Sequence, residues 1–465
     1  MEETAPQVAP PELRPYQVKL VEEIRQAYRR GVRSVLAVAP TGAGKTICFA
    51  HIARQASLKG TSTCILVHRD TLLYQTSKAL MLYGIDHGII APGYPRTDHR
   101  IQIASVQSLA RRLDHYRFGF LVIDEAHHAT ANTWKRILAA YPEAYVLGVT
   151  ATPCRSDGQG LGSMFQVLIL GPSTKQLTAL GYLSPATIYA PAKPLDLSMV
   201  STLAGDYNTH ELADAMDRPT ITGNAVAEYT KLAQGQPAVV FCVSIKHAES
   251  TAAIFQAAGY RSMAIHGDLP RASIQEALQD LAAGRLQVLA QCDLVNEGLD
   301  TPAIACGILL RPTQSLGLYI QQVGRCLRPF PGKSQAVILD HAGNCLRHGL
   351  PDEPQSWTLE GRKRRRGEHV VPAVRQCPQC YACHHPAPTC PQCGHTYKVA
   401  DMTPPQVDGT LTKVDLAAIQ AARKAARVEV GRARTLEALL AIAAKRGYNP
   451  QWARIIYAQR QRYGR

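Results

Sequence analysis

The sequence predicts an α/β chain: two doubly wound parallel-sheet lobes, then a small cysteine-held ribbon and a helical tail. Three observations carry this expectation. Short apolar runs end in glycine-rich or acidic turns and lead into helix-compatible stretches, as at Val35 to Leu58 and from Phe120 onward. A further run, Ala238-Val-Val-Phe-Cys242, restarts the pattern in the middle of the chain. The last quarter holds paired cysteines and then an alanine-rich stretch. With 465 residues and 46% apolar content, the chain can bury two or three cores.

In order, residues 1 to about 12 are proline-rich and read as loose. The first lobe is expected over 1–171. Residues 172–232 are less periodic and read as a connection or insert between the lobes. The second lobe is expected over 233–349, a basic linker over 350–376, the ribbon over 377–398 and a basic helical tail over 405–465. Gly447 and Pro450 interrupt that tail, and no internal repeat is found.

The chemistry begins at Ala39-Pro-Thr-Gly-Ala-Gly-Lys-Thr46, between the strand run and the helix. Gly42 and Gly44 let backbone N–H groups face a triphosphate, with Pro40, Thr41 and Ala43 completing the loop. The helix N-terminus adds partial positive charge. Lys45 reaches the β- and γ-phosphates, and the Thr46 hydroxyl suits Mg²⁺. The strict pattern places a glycine where this chain has Ala39. Phe120-Leu-Val-Ile123 ends in Asp124-Glu-Ala-His127. A carboxylate at a strand's C-terminal end anchors the metal, so Asp124 is expected to hold it and Glu125 to polarise the attacking water. Positive charge for the γ-phosphate must come from elsewhere. Arg325 and Arg328, three apart after a helical stretch from about Leu316, suit that role because a guanidinium pairs bidentately with phosphate.

The net charge is +15, and from Glu360 onward 19 Lys and Arg face only 7 Asp and Glu. Such a basic region is the footprint of a nucleic-acid binder, although its densest run, Arg362-Lys-Arg-Arg-Arg366, fits a solvated linker equally well. Cys377, Cys380, Cys390 and Cys393 form C-x₂-C-x₉-C-x₂-C, a ligand set for tetrahedral Zn²⁺. An iron–sulfur cluster would accept the same four thiolates, and Cys383 is left over. Thirteen cysteines beside an acidic N-terminus with no apolar leader point to a reducing compartment. No stretch approaches a membrane span.

Taken together, these blocks resemble the superfamily 2 DEAH-box helicases over about residues 10 to 345, with bacterial RadD-like and prophage-type DNA helicases of the XPB-like group nearest in layout. Leu13-Arg-Pro-Tyr-Gln17 resembles the adenine-reading segment, which implies Arg14 and Gln17 at the base. The segments Val67 to Asp70 and Ala104 to Leu109 resemble strand-contacting blocks, which implies Arg69, Gln107 and Ser108 on nucleic acid; Ser244 and Val295 are their counterparts in lobe two. Thr150-Ala-Thr-Pro153 resembles the coupling block, and Asn296 to Asp300 and Gln321 to Arg328 the last two. The resemblance implies Gly298 and Asp300 at the nucleotide and Gln321 in the catalytic cleft. It further implies two RecA-like lobes, ATP, Mg²⁺ and Zn²⁺, and movement on single-stranded or branched DNA in preference to RNA. A monomer in the cytoplasm of a bacterium, at the nucleoid and bacterial or phage-encoded, is expected. Its expected partners are single-strand-binding or recombination proteins. A motor that remodels or anneals DNA without separating strands carries the same motifs and stays open.

Overall fold

The computed structural model describes residues 12–68, 70–129, 132–155, 158–191, 197, 200–203, 205–216, 219–294, 304–353, 355–361, 374–397, 425, 428–446 and 449–463. It has two compact units, Met1–Tyr397 and Lys398–Arg465. Arg69, Val295, Gly298, Asp300 and the run 362–366 lie outside the described residues.

Lobe one is a seven-stranded sheet of β1 (Ser34–Val38), β2 (Thr63–Val67), β3 (Gly88–Ile90), β4 (Ile101–Ser105), β5 (Phe120–Asp124), β6 (Tyr145–Thr150) and β7 (Val167–Leu170). The spatial order is β3-β4-β2-β5-β6-β1-β7, with every pair parallel. The helices α1 (Pro15–Arg29), α2 (Lys45–Leu58), α3 (Asp70–Leu82), α4 (Val106–Ala110) and α5 (Asn132–Ala140) belong to this lobe. Successive residues of β1 enter opposite cores: Val35 and Ala37 one, Leu36 and Val38 the other. A parallel sheet needs that double cover, and it explains why its strands read as unbroken apolar runs.

Next come α6 (Thr174–Ala179), β8 (Ala186–Tyr189), the hairpin β9 (Thr202–Leu203) with β10 (Asp206–Tyr207), α7 (Thr209–Met216) and α8 (Pro219–Leu232). Lobe two adds β11 (Ala238–Phe241), α9 (Ile245–Ala257), β12 (Ser262–Ile265), α10 (Arg271–Ala282), β13 (Val288–Gln291), β14 (Cys306–Leu309), α11 (Leu316–Cys326), β15 (Ala336–Asp340) and α12 (Asn344–His348). The ribbon supplies β16 (Arg375–Gln376) and β17 (Ala382–His384). The second sheet runs β12-β13-β11-β14-β15-β8-β17-β16. The expected fold class is therefore present.

Three boundaries differ from expectation. The segment expected to connect the lobes contributes β8, which lies parallel to β15 inside lobe two's sheet. Its sequence hides this, because only Ile188 of the four residues is fully buried. The ribbon is not a separate module: β17 pairs antiparallel with β8, Ala382 opposite Tyr189 and Cys383 opposite Ile188. The expected linker, finally, is a strap. After leaving lobe two it returns to lobe one, where Trp357 and Leu359 pack against the core and Gly162 N donates to Leu359 O at 2.8 Å. Gln159 and Gly361 form a β-bridge there. A Cβ on Gly160 would lie 2.0 Å from Leu359 O, so only glycine admits the strap.

In the second unit α13 (Leu436–Arg446) and α14 (Pro450–Tyr463) pack through Leu439, Ile442, Ala443 and Ala453. No helix among the described residues is long and apolar enough to cross a membrane.

Candidate active site between the lobes

The phosphate loop leaves β1 at its C-terminal end, where Ala39 N donates to Thr150 O of β6 at 3.0 Å. Gly42 and Gly44 adopt φ of +87° and +76°, the left-handed region that glycine enters without strain. A Cβ at Gly44 would meet Gln17 Nε2 at 2.4 Å. Gln17 is buried and spans the loop: Nε2 donates to Ala43 O (3.1 Å) while Oε1 accepts from Arg14 N (2.9 Å). Tyr16 Oη donates to the same Ala43 carbonyl at 2.9 Å, and the Arg14 guanidinium stacks 4.4 Å over Tyr182. Gln17 thus braces the cradle, a role the sequence did not suggest. Beside it a cavity of about 540 Å³ is lined by Leu13, Val18, Val21, Ile47 and Tyr83, with Arg25, His51 and Arg54 and the carboxylates of Glu12 and Glu22 at its polar edge.

Lys45 Nζ donates to Ala39 O (3.2 Å) and Pro40 O (3.5 Å) inside the loop. Burial pushes its pKa down, Arg325 and Arg328 push the same way, and Glu125 and Asp124 oppose them. Thr46 sits half-buried in the first turn of α2. Asp124 ends β5, and its Oδ1 accepts from Glu125 N at 2.9 Å. Burial first, then Glu125, pushes the Asp124 carboxyl up to about 7. Burial would also raise Glu125, but Lys45, His127, Arg325 and His128 outweigh it and hold that carboxylate low. Glu125 has φ +48°, a strained conformation for a side chain of this size, and such strain concentrates at functional positions. Its Oε2 is buried and lies 3.4 Å from His127 Nδ1, an ion pair whenever that ring is protonated.

Lobe two closes the cleft with α11. Ser315 caps this helix by accepting from Leu318 N at 3.3 Å. Gln321 Nε2 lies 3.4 Å from His127 Nε2, and His127 Nδ1 lies 3.0 Å from Thr150 Oγ1, so one chain of contacts crosses between the lobes. Thr150 Oγ1 in turn donates to Thr152 O at 2.9 Å. Arg325 is buried, and its charge acts on both carboxylates. Arg328 passes close to the phosphate loop, its Cγ 3.5 Å from where Gly42 would carry a Cβ. Gly324 lets the helix touch the loop, since a Cβ there would lie 2.8 Å from Thr41 Cβ. Asn344 supports the turn before α11, its side chain bonding Thr313 N and Arg311 O at 3.0 Å each.

Of the residues expected on nucleic acid, Arg69 and Val295 lie outside the described residues. Gln107 is exposed, but Ser108 is buried and its hydroxyl accepts from Ser105 Oγ at 2.9 Å within the α4 cap. Ser244 caps α9, accepting from His247 N at 3.1 Å.

The four cysteines converge. Their sulfurs lie within 4.8 Å of one another, with Cys377 to Cys393 at 3.6 Å and Cys380 to Cys390 at 3.7 Å. One tetrahedral ion with bonds of about 2.3 Å needs sulfurs about 3.8 Å apart. The set fits a single metal ion and is too tight for a cluster of several irons. The two knuckles match: Tyr381 N donates to Cys377 O and Gly394 N to Cys390 O, both at 2.9 Å. Burial opposes ionisation of Cys377, but the N–H groups of Cys380 and Gln379 bring its pKa to about 6. Cys383 stands outside the set; it is buried and interacts with Cys345 of α12.

Residues 10–155 match the family model for the type III restriction enzyme res subunit, and residues 222–329 match the helicase conserved C-terminal domain. A 51.5 kDa protein of a Lactococcus phage (isolate 7-9) is 31% identical over 366 residues, 78% of each chain. A Saccharomyces cerevisiae protein assigned as the ATP-dependent helicase IRC3 is 28% identical; the match covers 72% of this chain and 52% of the yeast protein. Among solved structures, a fragment assigned to the HsdR subunit of a Vibrio vulnificus type I restriction enzyme has a TM-score of 0.59 at 20% identity, covering 74% of this chain and 67% of the fragment.

Proposed function

Because this chain belongs to the superfamily 2 helicase family, with a ResIII-type lobe and a helicase C-terminal lobe, we propose that it is an ATP-dependent DNA helicase or translocase of the DEAH-box, RadD-like and XPB-like branch. One observation carries the reading: Arg325 of lobe two brings its charge to Lys45, Asp124 and Glu125 of lobe one, Arg328 brings its charge to Lys45, and Gln321 contacts His127, all across a single cleft. ATP lies there with its triphosphate on Gly42 to Thr46 and its base in the cavity lined by Leu13 and Ile47, while Arg14 and Gln17 are the residues this reading assigns to the base. Thr46 and Asp124 offer the hard oxygen donors that suit Mg²⁺, which would neutralise phosphate charge. Glu125 orients and deprotonates the water. Arg325 and Arg328 match the charge that develops on the γ-phosphate. The Gln321–His127–Thr150 chain carries the nucleotide state from one lobe to the other, which shifts the lobes along a DNA strand. This reading assigns Arg69, Gln107, Ser244 and Val295 to contacts with that strand, and Gly298 and Asp300 to the nucleotide. The four-cysteine set holds Zn²⁺, and the basic tail adds phosphate contacts. DNA repair or recombination beside single-strand-binding proteins, in a bacterium or its phage, is the setting this reading favours.

ATP turnover is measured with single-stranded DNA, duplex, forks and RNA, alongside strand displacement. We expect DNA stimulation that is lost in Lys45→Ala. In Glu125→Gln, ATP binding should remain while turnover stalls. Turnover without displacement would assign a remodelling or annealing motor. Stimulation by RNA alone, or near-normal turnover in Glu125→Gln, would overturn the reading.

A further inference from the structure

Lys333 lies in the turn between α11 and β15, and no motif marks it. Its ammonium donates to three main-chain carbonyls: Ile304 O at 2.9 Å, Arg328 O at 2.8 Å, and Cys326 O. Cys326 is the last residue of α11. The intervening carbonyl, Leu327 O, accepts from Ser184 N at 2.8 Å. Three successive carbonyls at the end of the arginine helix are therefore satisfied from outside it. A helix leaves its last carbonyls unpaired and carries partial negative charge there, so an ammonium is the matching group. An ammonium has three N–H donors, and here all three have acceptors.

The turn is built to aim this amine backward. Gly332 takes φ +83°, and Lys333 N donates to Phe330 O at 3.1 Å. The side chain returns past the Phe330 ring, 5.3 Å from its centroid. What the amine fixes is the main chain that carries Arg328 against the phosphate loop. Through Ile304 it also fixes the approach to β14, four residues beyond Asp300.

We propose that Lys333 is a positioning residue for hydrolysis. It holds the end of α11 and the Arg328 backbone in the register that closes on Gly42, and locks that register to the segment entering β14. This rests on the reading of Arg325 and Arg328 as the residues facing the γ-phosphate.

The test is a kinetic cycle on the full chain with saturating single-stranded DNA: Lys333→Met, Lys333→Arg, Arg328→Ala and the double variant Lys333→Met with Arg328→Ala. For Lys333→Met we expect kcat to fall about 10- to 100-fold, the scale of lost bonds to a charged donor, with KM for ATP within about 2-fold. Lys333→Arg, which keeps charge and donors, should recover most of the loss. In the Arg328→Ala background Lys333→Met should add less than about 3-fold, because the group it positions is gone. If Lys333→Met does not fold, Lys333→Gln, whose amide keeps two donors, takes its place. Independent losses in the double variant, or a lowered melting temperature with normal kcat, would overturn the role of Lys333 while leaving the arginines intact. A normal kcat in Arg328→Ala would overturn that arginine's catalytic role, and the positioning role with it.

Discussion

Gly324→Ala separates lobe closure from lobe stability. Gly324 lies inside α11, and a Cβ there would sit 2.8 Å from Thr41 Cβ, 3.3 Å from its Oγ1 and 3.5 Å from its Cγ2. Carbon atoms rest at about 3.5 Å or more, so the helix and the phosphate loop would have to part by about 0.7 Å. Within the helix itself alanine is favoured over glycine by about 1 kcal/mol. The substitution therefore supports lobe two in isolation and penalises only the closed cleft. Overpacking of this kind costs about 1–3 kcal/mol, which converts to a loss of about 5- to 150-fold in kcat. Steady-state ATP turnover with saturating DNA reads the loss, and thermal unfolding reads the stability, which we expect to be unchanged or raised. Thr41→Gly removes all three opposing atoms. In that background Gly324→Ala should cost less than about 3-fold. Normal kcat in Gly324→Ala, or an undiminished effect when it is combined with Thr41→Gly, would refute the argument that this contact sets closure.

Three further outcomes are expected. Removing the metal by chelation, or through Cys393→Ser, should lower the melting temperature of the whole Met1–Tyr397 unit, because β17 is hydrogen-bonded to β8 of lobe two. A separate low-temperature transition with the main one unmoved in calorimetry would show the ribbon to be independent. Gly160→Ala puts a Cβ 2.0 Å from Leu359 O and should release the strap, seen as new protease cleavage between residues 355 and 361 and, because Trp357 and Leu359 leave the core they pack against, as a lower melting temperature of the Met1–Tyr397 unit; unchanged cleavage and melting would show that the strap does not depend on this contact. Burial lowers the pKa of His341 from its ordinary 6.5 to about 4, and its Nε2 has no hydrogen-bond partner among the described residues. Above pH 6.5 the ring is neutral in folded and unfolded chains alike. As pH falls from 6.5 toward 4 only the unfolded chain takes up the proton, and roughly 3 kcal/mol of stability is lost. Denaturant titrations at successive pH values should show a shallower acid limb in His341→Gln; an unchanged limb would place the acid sensitivity elsewhere.

Much of the cleft was legible in the sequence because its chemistry is local. A glycine loop between a strand and a helix can be read from consecutive residues, since left-handed backbone at Gly42 and Gly44 and an amine at position 45 need no distant partner to be recognised. The same holds for the carboxylates that end β5 and for two cysteine pairs whose spacing sets the reach of their sulfurs. The alternation of cores along β1 follows from an apolar run long enough to reveal a strand buried on both faces. Whatever depends on a partner far along the chain was settled by packing instead. β8 has one fully buried residue and becomes a strand only because β15 and β17 pair with it. The strap is held by backbone bonds and a missing Cβ at Gly160, neither of which leaves a periodic trace. Ser108, expected to face nucleic acid, lies in a helix cap because Ser105 three residues earlier claims its hydroxyl. Gln17 turned out to brace Ala43 because α1 runs alongside the phosphate loop. Lys333 acts on carbonyl oxygens, which every residue possesses, so no side-chain motif could announce it. The order of residues specifies which groups the cleft contains, and the packing of one lobe against the other selects which of them are held still.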